Sequence, residues 1–254
     1  MRAKWAVLGT TAVSALACSS LLDVKDLPAL SKDAGVDAPP PPPSFCQKLP
    51  APVTFCRDFD DGKLFYEDFT RVSDSPNRLT VDETNVVSPP FALLSEVSAP
   101  ADERSVMVRK FQGLLPKELR LSFELFIEKG PVSPVNASIA HLDFAPDTAN
   151  HHSLEFKVTT NSGEVSEYLG TAGYANSPFT GPQPVAGKWQ HYDIHVDVEK
   201  RHLTIALDGT TTVDTNLEGP WPKSEVWLSV GIFWVKEQNV NVIVRHDNVV
   251  LDLK

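Results

Sequence analysis

The sequence predicts an all-β protein, an antiparallel two-sheet sandwich of the jelly-roll type. Apolar and polar residues alternate in many short segments, and prolines or turn residues separate those segments. No segment beyond the N-terminus has a long helical period. The 254 residues include 23 Lys and Arg against 33 Asp and Glu, a net charge of −10. This acidic balance argues against nucleic acid as a partner, because a nucleic-acid-binding protein carries a basic patch.

The N-terminus predicts an exported protein with a signal peptide over residues 1–17. Arg2 and Lys4 precede an uncharged, mostly apolar run that is too short for a transmembrane helix of ~20 residues. The run ends in Ala-Leu-Ala-Cys, which resembles a bacterial lipobox, although Ala15 stands where the usual leucine would be. We therefore expect a lipid on Cys18 and attachment to the cell envelope, at the outer membrane because Ser19 follows. Plain secretion after Ala17 is the alternative.

Residues 18–43 predict a tether, with the lipidated cysteine at its start. Five consecutive prolines, 39–43, favour an extended polyproline II segment of ~3.1 Å per residue that cannot join a core. A single folded domain is expected over residues 44–254. At its start, Cys46 and Cys56 are expected to form a disulfide in an oxidising compartment. An unstrained loop of this length would contribute ~2–3 kcal/mol.

The domain's strands are predicted from period-2 alternation. The clearest segments are 119–127, 154–158, 192–198, 203–207, 240–244 and 248–253. Asp208-Gly209 predicts a hairpin turn after the fourth of these. Residues 226–235 are apolar at nearly every position, which predicts a central strand buried on both faces. Accordingly, Trp227 and Trp234 are expected in the core, together with Trp189 of another strand.

Four motifs in this order resemble concanavalin A-like lectin/glucanase domains, including the laminin G-like group. They are residues 55–62 (FCRDFDDG), 88–93 (SPPFAL), 187–192 (GKWQHY) followed by Asp208-Gly209, and 246–251 (HDNVVL). The resemblance implies a jelly roll of two antiparallel sheets, one of them concave, with glycans binding at the concave face or its rim. It does not fix the function, because this fold hosts lectins, hydrolases, lyases and adhesion modules.

The catalytic signatures of that family are absent from the sequence. The glucanase branch uses an E-x-D-x-E strand, and the lyase branch a Q-[IV]-H strand with a tyrosine-rich C-terminal strand; neither occurs here. We therefore predict no catalytic residue. Were cleavage found, the acidic positions Asp143, Glu155 and Asp193 would be the first candidates.

Two histidine patterns are interpreted as surface features. His191, Asp193, His195 and Asp197 alternate on one strand face, where imidazole and carboxylate groups can bind a metal or transfer protons. We interpret this row as a solvated face opposite a core face. His151-His152 is interpreted as part of an exposed loop.

A structural calcium ion is the only cofactor predicted. Many relatives carry calcium, and the terminal strands of this fold often pair, so that the two ends of the domain could share an ion. Calcium prefers oxygen ligands, and the candidates are the carboxylates of Asp58, Asp60, Asp61 and Asp247. The alternative is ordinary turn and strand-end chemistry at the same residues.

The predicted function is non-catalytic recognition of a glycan or another polymer at the cell surface. Glycan sites combine aromatic rings with a few polar groups. Trp221, between two prolines, and Tyr174, near a glycine turn, are the predicted ligand-binding residues. A divergent glycoside hydrolase or polysaccharide lyase is the first alternative, and a structural envelope protein without a glycan ligand is the second.

Overall fold

The computed structural model describes residues 42–60, 69, 71–73, 78–98, 104–114, 116–132, 136–144, 152–219, 225–235 and 241–254. Apart from two single-turn 3₁₀ segments, the regular structure in these ranges is β-strand. The strands in chain order are β1 (Phe55–Arg57), β2 (Arg71–Ser73), β3 (Arg78–Asp82), β4 (Ala92–Val97), β5 (Ser105–Gln112), β6 (Glu118–Lys129), β7 (Ala137–Phe144), β8 (His152–Val158), β9 (Gly163–Tyr168), β10 (Tyr174–Pro178), β11 (Trp189–Asp197), β12 (His202–Leu207), β13 (Thr210–Asn216), β14 (Glu225–Val235) and β15 (Val242–Leu253).

The strands form two antiparallel sheets, which confirms the predicted sandwich. Sheet A has the order β13-β12-β11-β6-β15-β4-β3, and β1 also pairs with β15. Sheet B has the order β10-β9-β8-β7-β14-β5-β2. One apolar cluster, to which β6, β8, β11, β12 and β14 all contribute, forms the core. Consecutive strands such as β11 and β12 pair as hairpins, whereas other neighbours, such as β6 and β15 or β7 and β14, are far apart in sequence. The chain therefore passes repeatedly from one sheet to the other, as in a jelly roll.

The predicted alternation is confirmed in sheet A. In β6, Leu121, Phe123 and Leu125 are buried, whereas the residues between them are only half-buried. The hairpin between β12 and β13 turns at Asp208 and Gly209, whose φ angles of 50° and 77° are in the left-handed region. A two-residue turn of this kind matches the twist of paired strands, which explains the Asp-Gly pair.

The two ends of the domain meet in sheet A. Strand β1 pairs with the last strand, β15, with Cys56 opposite Val250. The predicted disulfide is present: Cys46 and Cys56 are bonded, with their Cα atoms 5.7 Å apart. It joins the segment before β1 to the sheet.

Strand β14 is central, as predicted, but it is not buried throughout its outer face. Its pairing with β7 shifts between Val230 and Trp234, which is the mark of a bulge. Gly231 lies in this bulge with φ 112°, and a Cβ there would come 2.4 Å from the carbonyl oxygen of Ser105. Because the bulge breaks the alternation, Phe233 and Trp234 are both left half-buried.

The prediction of three core tryptophans was wrong. Trp189, Trp227 and Trp234 are all half-buried and lie outside the core cluster. Each faces away from the core: Trp189 packs on Phe126 outside sheet A, while Trp227 and Trp234 line the outside of sheet B. The sequence pattern alone does not distinguish a tryptophan that packs between the two sheets from one that covers the outside of a sheet.

Several predictions concern residues outside the described ranges. They are the signal peptide (1–17), the lipid on Cys18 and the tether up to residue 41. Residues 42–254 form one compact unit. No helix among the described residues has the length and apolar character needed to span a membrane.

Candidate functional site

The outer face of sheet B carries polar side chains that are buried. They alternate with core residues such as Leu154, Phe156 and Leu228, so they point away from the core. Buried polar groups on the outside of a sheet mark a recessed surface, since such groups normally remain in water. Those less than a tenth exposed are Ser138, His141, Ser153, Glu155, Lys157, Ser166 and Ser229.

Aromatic rings surround these polar groups. Tyr168 and Tyr174 pack against each other with ring centroids 4.8 Å apart. On the other side, the ring of His141 stacks on Phe233 at 4.3 Å. Tyr174 is 56% exposed and is the most accessible aromatic ring of the face. The face therefore combines ring surfaces with hydrogen-bonding groups beneath them.

Lys157 is at the centre of this arrangement. Its Nζ donates to Ser166 Oγ at 2.7 Å and lies 3.2 Å from Glu155 Oε2. The same ammonium group lies 5.1 Å from the ring centroid of Tyr174 and 5.0 Å from that of Trp234. At these distances a cation is attracted to the face of each ring. Lys157 thus connects two rings that belong to strands on opposite sides of β8.

Glu155 links Lys157 to Trp234 through its carboxylate. One of its carboxylate oxygens accepts a hydrogen bond from Trp234 Nε1 at 3.0 Å. Burial raises the pKa of the Tyr174 hydroxyl, and the negative charges of Glu155 and Tyr168 raise it further. Tyr174 therefore stays protonated at neutral pH and can donate a hydrogen bond.

Two adjoining depressions are open on this face. The first, of about 270 Å³, is lined by six residues that we call the sheet B groove: Asn136, Lys157, Glu164, Tyr174, Asn176 and Trp234. The second, of about 430 Å³, shares three of these residues and extends to Phe179 and Gln183. Within the groove, Asn136 Nδ2 donates to Glu164 Oε1 at 2.8 Å, while its own Oδ1 is buried without a hydrogen-bond partner.

Of the two predicted ligand-binding residues, the structure places Tyr174 in the groove. Trp221 lies outside the described residues. No pattern in the sequence marked Lys157, Asn136 or Trp234 as ligand-binding residues. Of the three acids that would be the first candidates for cleavage, Asp143 and Glu155 lie on this face, whereas Asp193 lies on sheet A.

The interpretation of His152 as a loop residue was wrong; His151 lies outside the described residues. His152 begins β8 and is 2% exposed. Its Nε2 lies 2.7 Å from Glu167 Oε1, and the carboxylate of Glu167 also accepts the N–H groups of Glu218 and Gly219. This pair anchors the chain after β13, so its role is structural.

The three predicted calcium ligands that the structure describes accept different backbone donors. Asp58 accepts the N–H of Cys46 at 2.9 Å, and Asp60 accepts that of Phe91 at 3.1 Å. Asp247 accepts the N–H groups of Val87 and Ser88, and burial raises its pKa to about 7. Asp61 lies outside the described residues.

Among the described residues, no group of three or more His, Cys, Asp or Glu side chains is arranged to hold a metal ion. Calcium therefore stays a prediction, and a melting temperature that does not change with excess chelator would contradict it.

The histidine row of β11 lies on the outer face of sheet A, as interpreted. Its alternating neighbours Tyr192, Ile194 and Val196 are buried in the core. His191 Nδ1 lies 3.0 Å from Glu124 Oε1, and that hydrogen bond raises the pKa of His191 while partial burial opposes the rise.

Comparison with solved structures identifies similar folds. An endo-β-1,4-glucuronan lyase from the fungus Trichoderma reesei is similar with a TM-score of 0.61 and 14% identity, covering 80% of this chain and 96% of the lyase. The cellulose-induced protein Cip1 is similar with a TM-score of 0.55 and 11% identity, covering 78% and 96%. A ganglioside-binding botulinum neurotoxin type C structure gives 0.52 and 10%, covering 72% and 42%.

No protein-family model and no curated protein matches the sequence. At these identities the likeness concerns the fold. The chain has the jelly-roll sandwich fold that its resemblance to concanavalin A-like domains implies.

Proposed function

We propose that this protein binds a glycan polymer in the sheet B groove without cleaving it. The observation that carries the proposal is the set of buried polar side chains on the outside of a sheet, surrounded by aromatic rings. Ring faces pack against the C–H surfaces of sugars, and polar groups between the rings bond to the hydroxyls. Structures of similar fold whose names refer to glucuronan, cellulose and gangliosides are consistent with a glycan ligand.

The proposal includes attachment to the cell envelope, which rests on the sequence alone. A lipid on Cys18 and the proline-rich tether would hold the domain away from the membrane. Cys18→Ala is expected to abolish incorporation of labelled fatty acid and to release the protein from the membrane fraction. Unchanged membrane retention of this variant would contradict lipid anchoring. If the protein is instead simply secreted, the chain with Cys18 in place should also be released from the membrane fraction.

Cleavage of the polymer is the second candidate, because groups able to transfer protons lie on the same face. His141, Asp143 and Glu155 are on adjacent strands β7 and β8, with His141 directly opposite Glu155. Such groups can serve as general acid and base. Glu155, however, already contacts Lys157 Nζ and Trp234 Nε1. We place binding first because the groove holds this carboxylate in an ion pair.

The test measures retention of the whole chain on a panel of insoluble polysaccharides, together with soluble reducing ends and unsaturated sugar ends. Trp234→Ala is compared with Trp189→Ala, since both tryptophans are half-buried but lie outside different sheets. We expect retention without new ends, a loss of at least about tenfold in affinity for Trp234→Ala, and wild-type affinity for Trp189→Ala. New ends would establish the enzyme alternative, and equal effects of the two substitutions would exclude the groove.

A further inference from the structure

The charges on the outer face of sheet B indicate what kind of glycan the groove accepts. Three cations with described side chains lie on this face: Arg104, Lys110 and Lys157. Lys110 pairs with Glu225 at 2.6 Å and lies 4.7 Å from the ring of Trp227, and Arg104 lies 4.6 Å from the ring of Phe233. Each of the three therefore covers an aromatic ring of the protein itself.

Among the residues that the structure describes, the carboxylates on the same face outnumber these cations. They are Asp143, Glu155, Glu164 and Glu225. Glu164 lies directly across from Lys157, yet the hydrogen bond it receives comes from Asn136. The whole chain also has a net charge of −10. An acidic polymer would thus approach a surface of its own sign, and like charges brought together oppose binding.

Lys157 is not available to offset that repulsion. Its ammonium already contacts Glu155 Oε2, Ser166 Oγ and two rings, and its side chain is only 7% exposed. Turning it toward a ligand carboxylate would leave Glu155 buried without its partner, and an unpaired buried charge is costly. Lys157 therefore serves the protein's own groups.

We infer that the groove accepts an uncharged glycan and that Lys157 is a positioning residue, which holds the rings of Tyr174 and Trp234 at a fixed spacing on either side of its ammonium group. The inference rests on the proposed function, and it names the ligand class of the same groove. The buried, unpartnered Oδ1 of Asn136 is a further acceptor suited to a sugar hydroxyl, which donates.

The test uses matched glucans. Cellulose, a β-1,3-glucan and amylose are each compared in native form and after oxidation of C6 to a carboxylate, so that the two forms share one backbone. We expect the whole chain to bind at least one native glucan about tenfold more tightly than its oxidised form, with an affinity insensitive to added salt. Preference for the oxidised form, weakened by salt, would overturn the inference and leave the proposed function standing. Retention by neither form of any glucan, together with no retention on the polysaccharide panel, would overturn both.

Variants of Lys157 test its role separately. Lys157→Met preserves the length of the side chain and removes the charge, whereas Lys157→Arg preserves the charge. If Lys157 is a positioning residue, Lys157→Met should lower affinity for the native glucan about tenfold and shift the fluorescence of Trp234. The signal of Trp234 is identified as the one that Trp234→Ala lacks. Lys157→Arg should keep most of the affinity and most of the original fluorescence. Loss of binding to the oxidised glucan alone would identify an anion-binding lysine instead. If a variant fails to fold, the ratio of the affinities of the unsubstituted chain for native and oxidised glucan still tests the inference.

Discussion

Strands β8 and β11 have the same alternation of apolar and polar residues, but their outward-facing residues differ in burial. Every residue of β8 is buried, including Glu155 and Lys157. In β11 only every second residue is buried, and Asp193 is exposed. The strands differ in their neighbours. The polar residues of β8 lie beneath aromatic rings from β10 and β14. Those of β11 lie opposite polar and charged residues of β6, such as Glu124 and Arg120.

This difference separates a solvated outer face from the outer face that we propose as the binding face. A polar side chain in water costs little, but a buried ion pair must be compensated by hydrogen bonds and close partners. Sheet B retains such a pair on its outside, where packing alone does not require it. The paired charges and the rings around them are therefore the best-supported location of function in the domain.

The largest expected effect comes from breaking the buried pair. Glu155→Gln keeps the shape of the side chain but leaves the Lys157 ammonium without its carboxylate, which should lower the free energy of unfolding by about 3 kcal/mol. The matched change on sheet A, Glu124→Gln, removes an accessible pair and should cost less than about 1 kcal/mol. Denaturant unfolding of both variants measures the difference, and equal losses would show that the two outer faces do not differ energetically.

The bulge in β14 gives the next effect. Gly231→Ala puts a side chain on a residue with positive φ and forces it against the Ser105 carbonyl oxygen. We expect the free energy of unfolding to fall by about 2 kcal/mol. We also expect weaker glucan binding, because Phe233 and Trp234 shift. Gly113→Ala is the control: its φ is +72° but a Cβ there meets nothing within 4 Å. It should cost about 1 kcal/mol and leave binding unchanged. If Gly231→Ala costs no more than this control, the close contact is unimportant.

The sequence could predict the sandwich but not the groove. Alternation fixes which side of β6, β11 and β12 faces the core, because a one-residue slip would expose every apolar side chain. It does not distinguish Lys157 from Asp193, since both are polar residues between apolar ones. Their difference in burial depends on which strands flank them in the folded sheet. Trp234 was misplaced for a related reason: a bulge at Gly231 redirects it, and the apolar run 226–235 conceals that bulge.

A smaller effect concerns the acid dependence of the buried His152–Glu167 pair. Burial alone would raise the pKa of Glu167, but the hydrogen bonds from His152, Glu218 and Gly219 lower it below the ordinary value of 4.5. The folded state then binds this proton less readily than the unfolded state, so its contribution is present above pH 4.5 and is lost as the pH falls through the folded pKa. Below pH 4.5, Glu167→Gln should therefore reduce the slope of the free energy of unfolding against pH by up to about 1.4 kcal/mol per pH unit. Parallel stability curves for the variant and the unmodified chain below pH 4.5 would contradict this.

The smallest effect, of opposite sign in pH, belongs to the histidine pair outside sheet A. The pKa of His191 is raised by its hydrogen bond with Glu124, so the stabilisation is complete below the ordinary value of 6.5 and is lost as the pH rises through the folded pKa. The His191 side chain is 45% exposed, so solvent screening should keep the effect of His191→Gln below about 0.5 kcal/mol. Thermal melts should show the variant slightly less stable at pH 5.5 and equal to the unmodified chain at pH 9. A loss as large as that for Glu155→Gln would mean that the outer face of sheet A is organised as tightly as that of sheet B, and would remove the reason for placing the binding site on sheet B alone.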